Sequence, residues 1–271
     1  MAANARPAPG TGYAPGLGYA SGGLPAHLRS PVGLSRATTA LLGVVVAADL
    51  YSLWAGTVVQ GVMEELRSPR HAFGYGTDLM RDAERADTLY AVSGWLQAAA
   101  LVATCVVFLC WFHRVRVNAE VFEPHQHSKA RGWTVGGWFV PVVNLWFPRR
   151  IALDIWDASV ESPAAPDRPV RLGAATTRAA HPLINGWWTL WVASLFFGRW
   201  ATSAYWEAEA ADEVDAAISR MMFSDALDIA AAVLAILFVR RLTRMQDAKA
   251  RAGAGAVPSG PGPVREAPAG T

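Results

Sequence analysis

Four long apolar stretches alternate with polar ones along the chain, at residues 37–59, 89–112, 187–206 and 222–239. Each approaches or exceeds the roughly 20 helical residues needed to cross the hydrocarbon core of a bilayer. The fourth is the shortest and opens with Asp225 and Asp228, which blurs its outer end. The pattern predicts an all-α integral membrane protein built as a four-transmembrane-helix bundle. Residues 1–35 are rich in Pro, Gly, Ala and Tyr, and residues 246–271 in Gly, Pro and Ala. Such segments bury too little apolar surface to offset the entropy of ordering them. They predict disordered tails on either side of a membrane domain at 36–245. The first apolar stretch follows a long tail and lacks a short apolar core with a cleavage site, so it reads as an uncleaved anchor.

Between the second and third stretches lies a shorter one, Gly132 to Pro148, nearly uncharged and rich in aromatic residues. It is short for a span, and Pro141 and Pro148 interrupt it. Short apolar segments with Gly and Pro suit an interfacial or re-entrant course. Arg131, Arg149 and Arg150 flank it and can hold both ends at lipid headgroups. The stretch from Arg149 to Val160 then places Ile151, Ile155 and Trp156 apart from Asp154 and Asp157, the pattern of a helix lying on a membrane surface. Residues 132–160 are thus expected at the interface between helices 2 and 3.

Charge sets the orientation. The N-terminal tail (Arg6, Arg29, Arg36), the loop between the second and third stretches, and the C-terminal tail (Arg240, Arg241, Arg244, Lys249) are basic. In the other two loops acidic residues dominate, such as Glu64, Glu65, Asp78, Asp82 and Glu84 in one and Glu207, Glu209, Asp212 and Glu213 in the other. Basic segments stay inside, so both termini are expected in the cytoplasm. A full crossing by residues 132–148 would put the basic C-terminal tail outside. Only 17% of residues are charged, against about 25% in soluble domains, and there are 12 Trp, a residue of the membrane–water boundary. A net charge of +2 gives no reason to expect nucleic acid as a partner. The excess of Arg over Lys, with abundant Ala and Gly, matches GC-rich bacterial codon usage, so a bacterial plasma membrane is the expected location. Cys105 and Cys110 sit five apart on one helix and point in different directions, which disfavours a disulfide.

Three blocks carry a resemblance. Trp111, Arg114, Asn118 and Ala119 form W-x-x-R-x-x-x-N-A. Gly132, Trp133, Gly137, Trp138, Phe139, Pro141, Asn144, Leu145 and Pro148 stand as G-W-x-x-x-G-W-F-x-P-x-x-N-L-x-x-P. Ile155, Trp156, Ala158 and Ser159 form I-W-x-A-S, and Trp187, Trp188 and Trp191 open the next helix. In this order and spacing they resemble a bacterial family catalogued as domain of unknown function 4328, over residues 37–245. The resemblance implies a multi-pass membrane protein of a kind common in actinobacteria, with no established activity and no catalytic residues to transfer.

Ionisable residues inside spans are costly and therefore candidates for function. Asp49, Arg199 and Asp228 fall at one depth, about 16–18 Å from the cytoplasmic end at the helical rise, with Gln97 slightly further out. They form either a proton or ion site or a structural salt bridge between helices. On the structural reading, Arg199→Ala strands a buried carboxylate and destabilises strongly. Ser194, Gly198 and Thr202 make a small-residue stripe that permits close helix approach. Arg114 and Asn118 share a helix face suited either to phosphate headgroups or to the backbone of the Trp133–Pro148 segment, and positioning that segment is the expected role. His113, Glu123, His125, Gln126 and His127 invite a metal reading but lack a second ligand cluster, so a solvated loop is expected, with no metal. Phosphate-loop, nucleophile-elbow and zinc-protease motifs do not occur.

The chain therefore reads as a non-enzymatic scaffold or regulator of the cell envelope, without cofactor. Its expected partners are the lipid bilayer, a membrane or cytoplasmic protein, and further copies of itself. The alternative is a small oligomeric ion-translocating protein using the Asp/Arg cluster. A third reading, a lipid-modifying enzyme, would draw on Asn144, Arg149, Asp154 and Asp157.

Overall fold

The structure is a computed structural model, and it describes residues 28–71, 74, 76–124, 127–160 and 181–255. Among the described residues there are six helices: α1 (Val32–Leu66), α2 (Thr77–Phe122), α3 (Trp133–Gly136), α4 (Phe147–Ser159), α5 (Pro182–Glu207) and α6 (Ala211–Gly255). Two short 3-10 turns, Pro69–His71 and Val143–Leu145, complete it, and no strand occurs among the described residues.

Local chemistry starts the helices where they begin. Pro182 opens α5 and Pro148 lies in the first turn of α4, where a missing N–H costs nothing. Asp78 sits in the first turn of α2, and Asp212 and Glu213 in that of α6, beside the positive end of each helix dipole. Glu213 also accepts the backbone N–H groups of Glu209 and Ala210, which fixes the tight α5–α6 connection.

Three of the helices, α1, α2 and α6, are long and apolar enough to cross a membrane. Four were expected, and α5 does not reach that mark. At 26 residues α5 has the length, but its tryptophans, together with Asn185 and Arg199, lower its hydropathy. The helices also outrun the apolar stretches. At 46 residues α2 is about 69 Å long, well beyond a hydrocarbon core. Residues 32–35 and 246–255, expected in the tails, belong to α1 and α6. The expected tails otherwise, together with His125 and Gln126, lie outside the described residues.

Side-chain pairs define the register. Ser52 meets Ser93 and Asp49 meets Gln97, so α1 runs antiparallel to α2. Gly56 abuts Met222 and Gln60 bonds Ser219, so α1 is antiparallel to α6 as well. Gly186 faces Leu234 and Gly198 faces Ser224, which sets α5 antiparallel along α6. The two ends of the bundle differ in charge. The end carrying Arg114, Arg116, Arg149, Arg240 and Arg241 is basic. The end carrying Asp78, Glu207, Asp212 and Asp215 is acidic.

The main core lies toward the basic end, where Trp111, Phe112, Val115, Ile151, Ile155, Ile184, Trp187, Phe238 and Leu242 pack together. Here α4 departs from expectation. It does not lie on a surface with one face outward. Residues 151–156, Ala158 and Ser159 are all buried; Asp157 is exposed, and Phe147, Arg149 and Arg150 of the first turn are partly so. The reason is that α4 inserts among α2, α5 and α6, which cover its apolar stripe, while Ser128 of the preceding loop closes over Asp154.

Candidate functional site

Two polar groupings interrupt the apolar packing. The first lies within the bundle, toward its acidic end. Gln97 Nε2 of α2 donates to Asp49 Oδ1 of α1 and to Asp225 Oδ1 of α6, each at 2.9 Å. Ser52 of α1 stands beside Asp225, and Ser194 of α5 stands beside Asp228. Ser93 approaches Ser52 at 3.4 Å, and its hydroxyl donates to Tyr90 O at 2.7 Å. Asp49 is 3% exposed, and its Oδ2 meets no partner.

Of the residues expected at this depth, the structure brings together Asp49 and Gln97, with Asp228 beside them, but it leaves out Arg199. That side chain is exposed on α5 and forms no ion pair among the described residues. Equal depth does not fix facing. Ser194 and Gly198 turn toward α6, and Arg199, one residue on, turns away. Thr202 is exposed as well, so only part of the small-residue stripe meets α6. The residue that sequence reasoning missed is Asp225. Its signal was available, because Asp225 and Asp228 sit at i and i+3 and share a face.

The second grouping closes the basic end. Asn118 Nδ2 donates to Arg29 O at 2.9 Å and to Gln246 Oε1 at 3.2 Å, while its Oδ1 accepts the Arg29 N–H at 3.1 Å. Gln246 Nε2 donates to Val115 O and to Ser159 Oγ, so α2, α4, α6 and the lead into α1 are tied at one point. Arg114 donates to Ser30 O at 3.3 Å. Arg114 and Asn118 therefore hold the backbone before α1, not that of the Trp133–Pro148 segment. The antiparallel α1–α2 packing brings Arg29 and Ser30 against that helix face.

A neighbouring face of α2 holds the following loop. Arg116, 2% exposed, pairs with Glu120 at 2.9 Å and donates to Lys129 O at 2.8 Å. Arg131 clamps the other carboxylate oxygen of Glu120. Burial alone would raise the Glu120 carboxyl, but the Arg131 hydrogen bond and the charges of Arg116 and Arg131 outweigh it and hold it below its usual range. Burial lowers the Arg116 guanidinium, and Glu120 and Asp154 work against that. Burial, followed by the Arg116 charge, also lowers the His127 imidazole. Asp154 accepts the backbone N–H and hydroxyl of Ser128 and pairs with Arg150.

The aromatic motif residues build a socket and a wedge. Trp138 packs edge-on against Phe108 and Phe112 of α2 and against Trp188 and Trp191 of α5, with centroids 5.5–6.0 Å apart. Trp111 donates its Nε1–H to Thr243 and meets Phe238 at right angles, while Trp156 stacks on Phe238 beneath Arg241. Trp133 packs edge-on against Phe147. A Cβ on Gly137 would come within 2.7 Å of Trp133 O, so only glycine fits there. Pro148 is buried in the first turn of α4, whereas Pro141 is exposed. The Asn144 N–H bonds Val140 O, and its Oδ1 is buried without a partner. Val142 has φ 68° and ψ −53°, and the Val143 N–H reaches back to Pro141 O at 2.8 Å. That is the rare, strained γ-turn, here occupied by a β-branched residue. Phe139, Val142 and Trp146 project outward, 71%, 67% and 60% exposed.

The residues that a lipid-modifying reaction would draw on are not assembled into one site. Arg149 binds Asn185, Asp157 pairs with His181, and Asp154 holds Ser128. Among the described residues no group of three or more His, Cys, Asp or Glu side chains is placed to hold a metal.

Fold and site together define an all-helical protein with the apolar helices of the multi-pass membrane class and an aromatic closure at its basic end. The chain belongs to the family described as Domain of unknown function (DUF4328), whose model matches residues 77–244, more than half of the chain. That span takes in Gln97, Asn118, Asp225, Asp228 and the whole socket, but not Asp49, nor Arg29 and Gln246, the partners of Asn118. No curated protein and no solved structure matches the chain.

Proposed function

We propose that the protein is a non-enzymatic scaffold or regulator of the bacterial plasma membrane, with α1, α2, α5 and α6 crossing the bilayer and both termini in the cytoplasm. Its working surface is the wedge of Phe139, Val142 and Trp146, seated in the inner leaflet, where it meets lipid and a membrane or cytoplasmic protein. The observation that carries this reading is the contrast within one short segment. Trp138 anchors it rigidly in an aromatic socket while its neighbours present bulky apolar side chains to the outside. Strain at Val142 accords with a tip held in place for contact. Lys129 and Arg149, which form no ion pair among the described residues, flank the wedge with positive charge suited to anionic headgroups. The close packing of α5 along α6 supports its crossing with them despite its lower hydropathy.

The test places single cysteines at Phe139, Val142 and Ser128, in a background with Cys105 and Cys110 replaced by serine. Each carries an environment-sensitive fluorophore, and the protein is reconstituted in vesicles containing lipids with quenchers at known depths. Labels at 139 and 142 are expected to be quenched from the headgroup–acyl boundary, and the label at 128 to remain in water. Labels at 139 and 142 that behave like the one at 128 refute the wedge.

A further inference from the structure

We infer that Asp49 and Asp225, bridged by Gln97, form a proton-binding site inside the helical bundle, with one proton held by the pair. This site is separate from the wedge and does not depend on it.

The geometry forces a choice of charge. Both Oδ1 atoms accept from the same amide nitrogen at 2.9 Å, so the two oxygens lie within roughly 6 Å of each other. That amide has two hydrogens, and both are spent. Around the pair stand Ser52 on α1, Ser93 and Tyr90 on α2, Asp228 on α6 and Ser194 on α5. Asp228 adds a third acid, and no cation pairs with any of the three among the described residues.

The second observation is Asp49 Oδ2, a carboxyl oxygen closed off from solvent that receives no donor in a side chain 3% exposed. A charged oxygen without a partner in such a place is strongly unfavourable. Two carboxylates this close inside an apolar bundle do not both stay ionised, and one proton removes one of the two charges. Uptake turns one carboxylate into a carboxylic acid, and release returns the proton to water.

The same geometry disfavours a metal ion. A hard cation draws together several oxygen ligands. Here Gln97 points its N–H groups, not its oxygen, at the carboxylates, and an N–H dipole repels a cation.

The experiment is infrared spectroscopy of the full chain in lipid nanodiscs, following the carbonyl stretch of protonated carboxyl groups with pH and on exchange into heavy water. The parent protein is expected to show this band at neutral pH. The band is expected to vanish in the double variant Asp49→Asn/Asp225→Asn and to persist in Asp228→Asn. Gln97→Leu removes both amide donors from the pair, leaves Asp49 with none and Asp225 with Ser52 alone beside it, and is expected to raise the band toward about two-fold. This arm stands if the double variant does not fold. Four results overturn the inference: no band in the folded parent, a band that survives the double variant, a band unchanged in Gln97→Leu, or a band that sodium removes at constant pH. The last would assign the site to a metal cation.

Discussion

Asn118 is the point at which the basic end should be easiest to break, and the structure allows the loss to be estimated. In Asn118→Ala three hydrogen bonds disappear: two with the Arg29 backbone and one to Gln246 Oε1. They are not equivalent. Gln246 is 1% exposed, so its oxygen is left without a donor and without water, a loss of about 1–3 kcal/mol. Arg29 lies at the surface, so its peptide groups rehydrate, and those bonds contribute only about 0.5–1.5 kcal/mol each. Because the three share one side chain they do not simply add, and the expected loss is about 2–4 kcal/mol. For a protein of this size that corresponds to a fall in melting temperature of roughly 5–15 °C. Asn118→Asp separates hydrogen bonding from size. It keeps the acceptor for the Arg29 N–H but aims an oxygen at two other oxygens, so its loss should equal or exceed that of alanine. The assay is thermal unfolding in nanodiscs together with hydrogen exchange at the Ser35 amide, in the first turn of α1. If Asn118→Ala melts within about 2 °C of the parent and Ser35 exchanges no faster, the tie is not holding α1 in place.

Three further outcomes follow from particular contacts. Gly137→Ala forces a Cβ against Trp133 O and should destabilise the wedge segment by about 1–3 kcal/mol, read as faster proteolysis between residues 128 and 147; unchanged cleavage kinetics would contradict the close approach. Arg199→Ala should not lower stability, because the exposed guanidinium pairs with no buried carboxylate, and a large drop in thermal stability would restore the Asp/Arg cluster. Acid should loosen the 127–131 loop in two stages. The folded state holds the His127 imidazole below its ordinary 6.5, so its contribution is complete above that pH and is lost as pH falls through it; Glu120, held below 4.5, adds a second loss further down. Hydrogen exchange at the Ser128 amide across that range checks both stages, and protection that stays flat to the acid end refutes them.

Helix existence was legible in the sequence because it rests on apolar run length, and each of the four stretches lies inside a long helix. Helix length was harder to read. Residues 240–255 continue α6 past its last apolar run, and the cue was positional: Val239, Leu242 and Gln246 recur at helical spacing and are all buried. Reading residues 246–271 by composition as a tail hid Gln246, the residue that meets Asn118. The same distinction explains the polar layer. Counting residues from a membrane boundary gave the depth of Asp49 and Gln97, which do meet, and also that of Arg199, which does not. Depth is a one-dimensional quantity. Facing depends on which neighbour each helix packs against, and that is set by contacts between helices far apart in the chain, such as Gly56 on Met222 and Gly198 on Ser224. A cation and two acids at one level looked like a neutralised bridge, whereas the packing leaves acids alone together. The missing neutralisation is the physical content that depth could not supply, and it turns a structural ion pair into a site that has to find its positive charge in a proton.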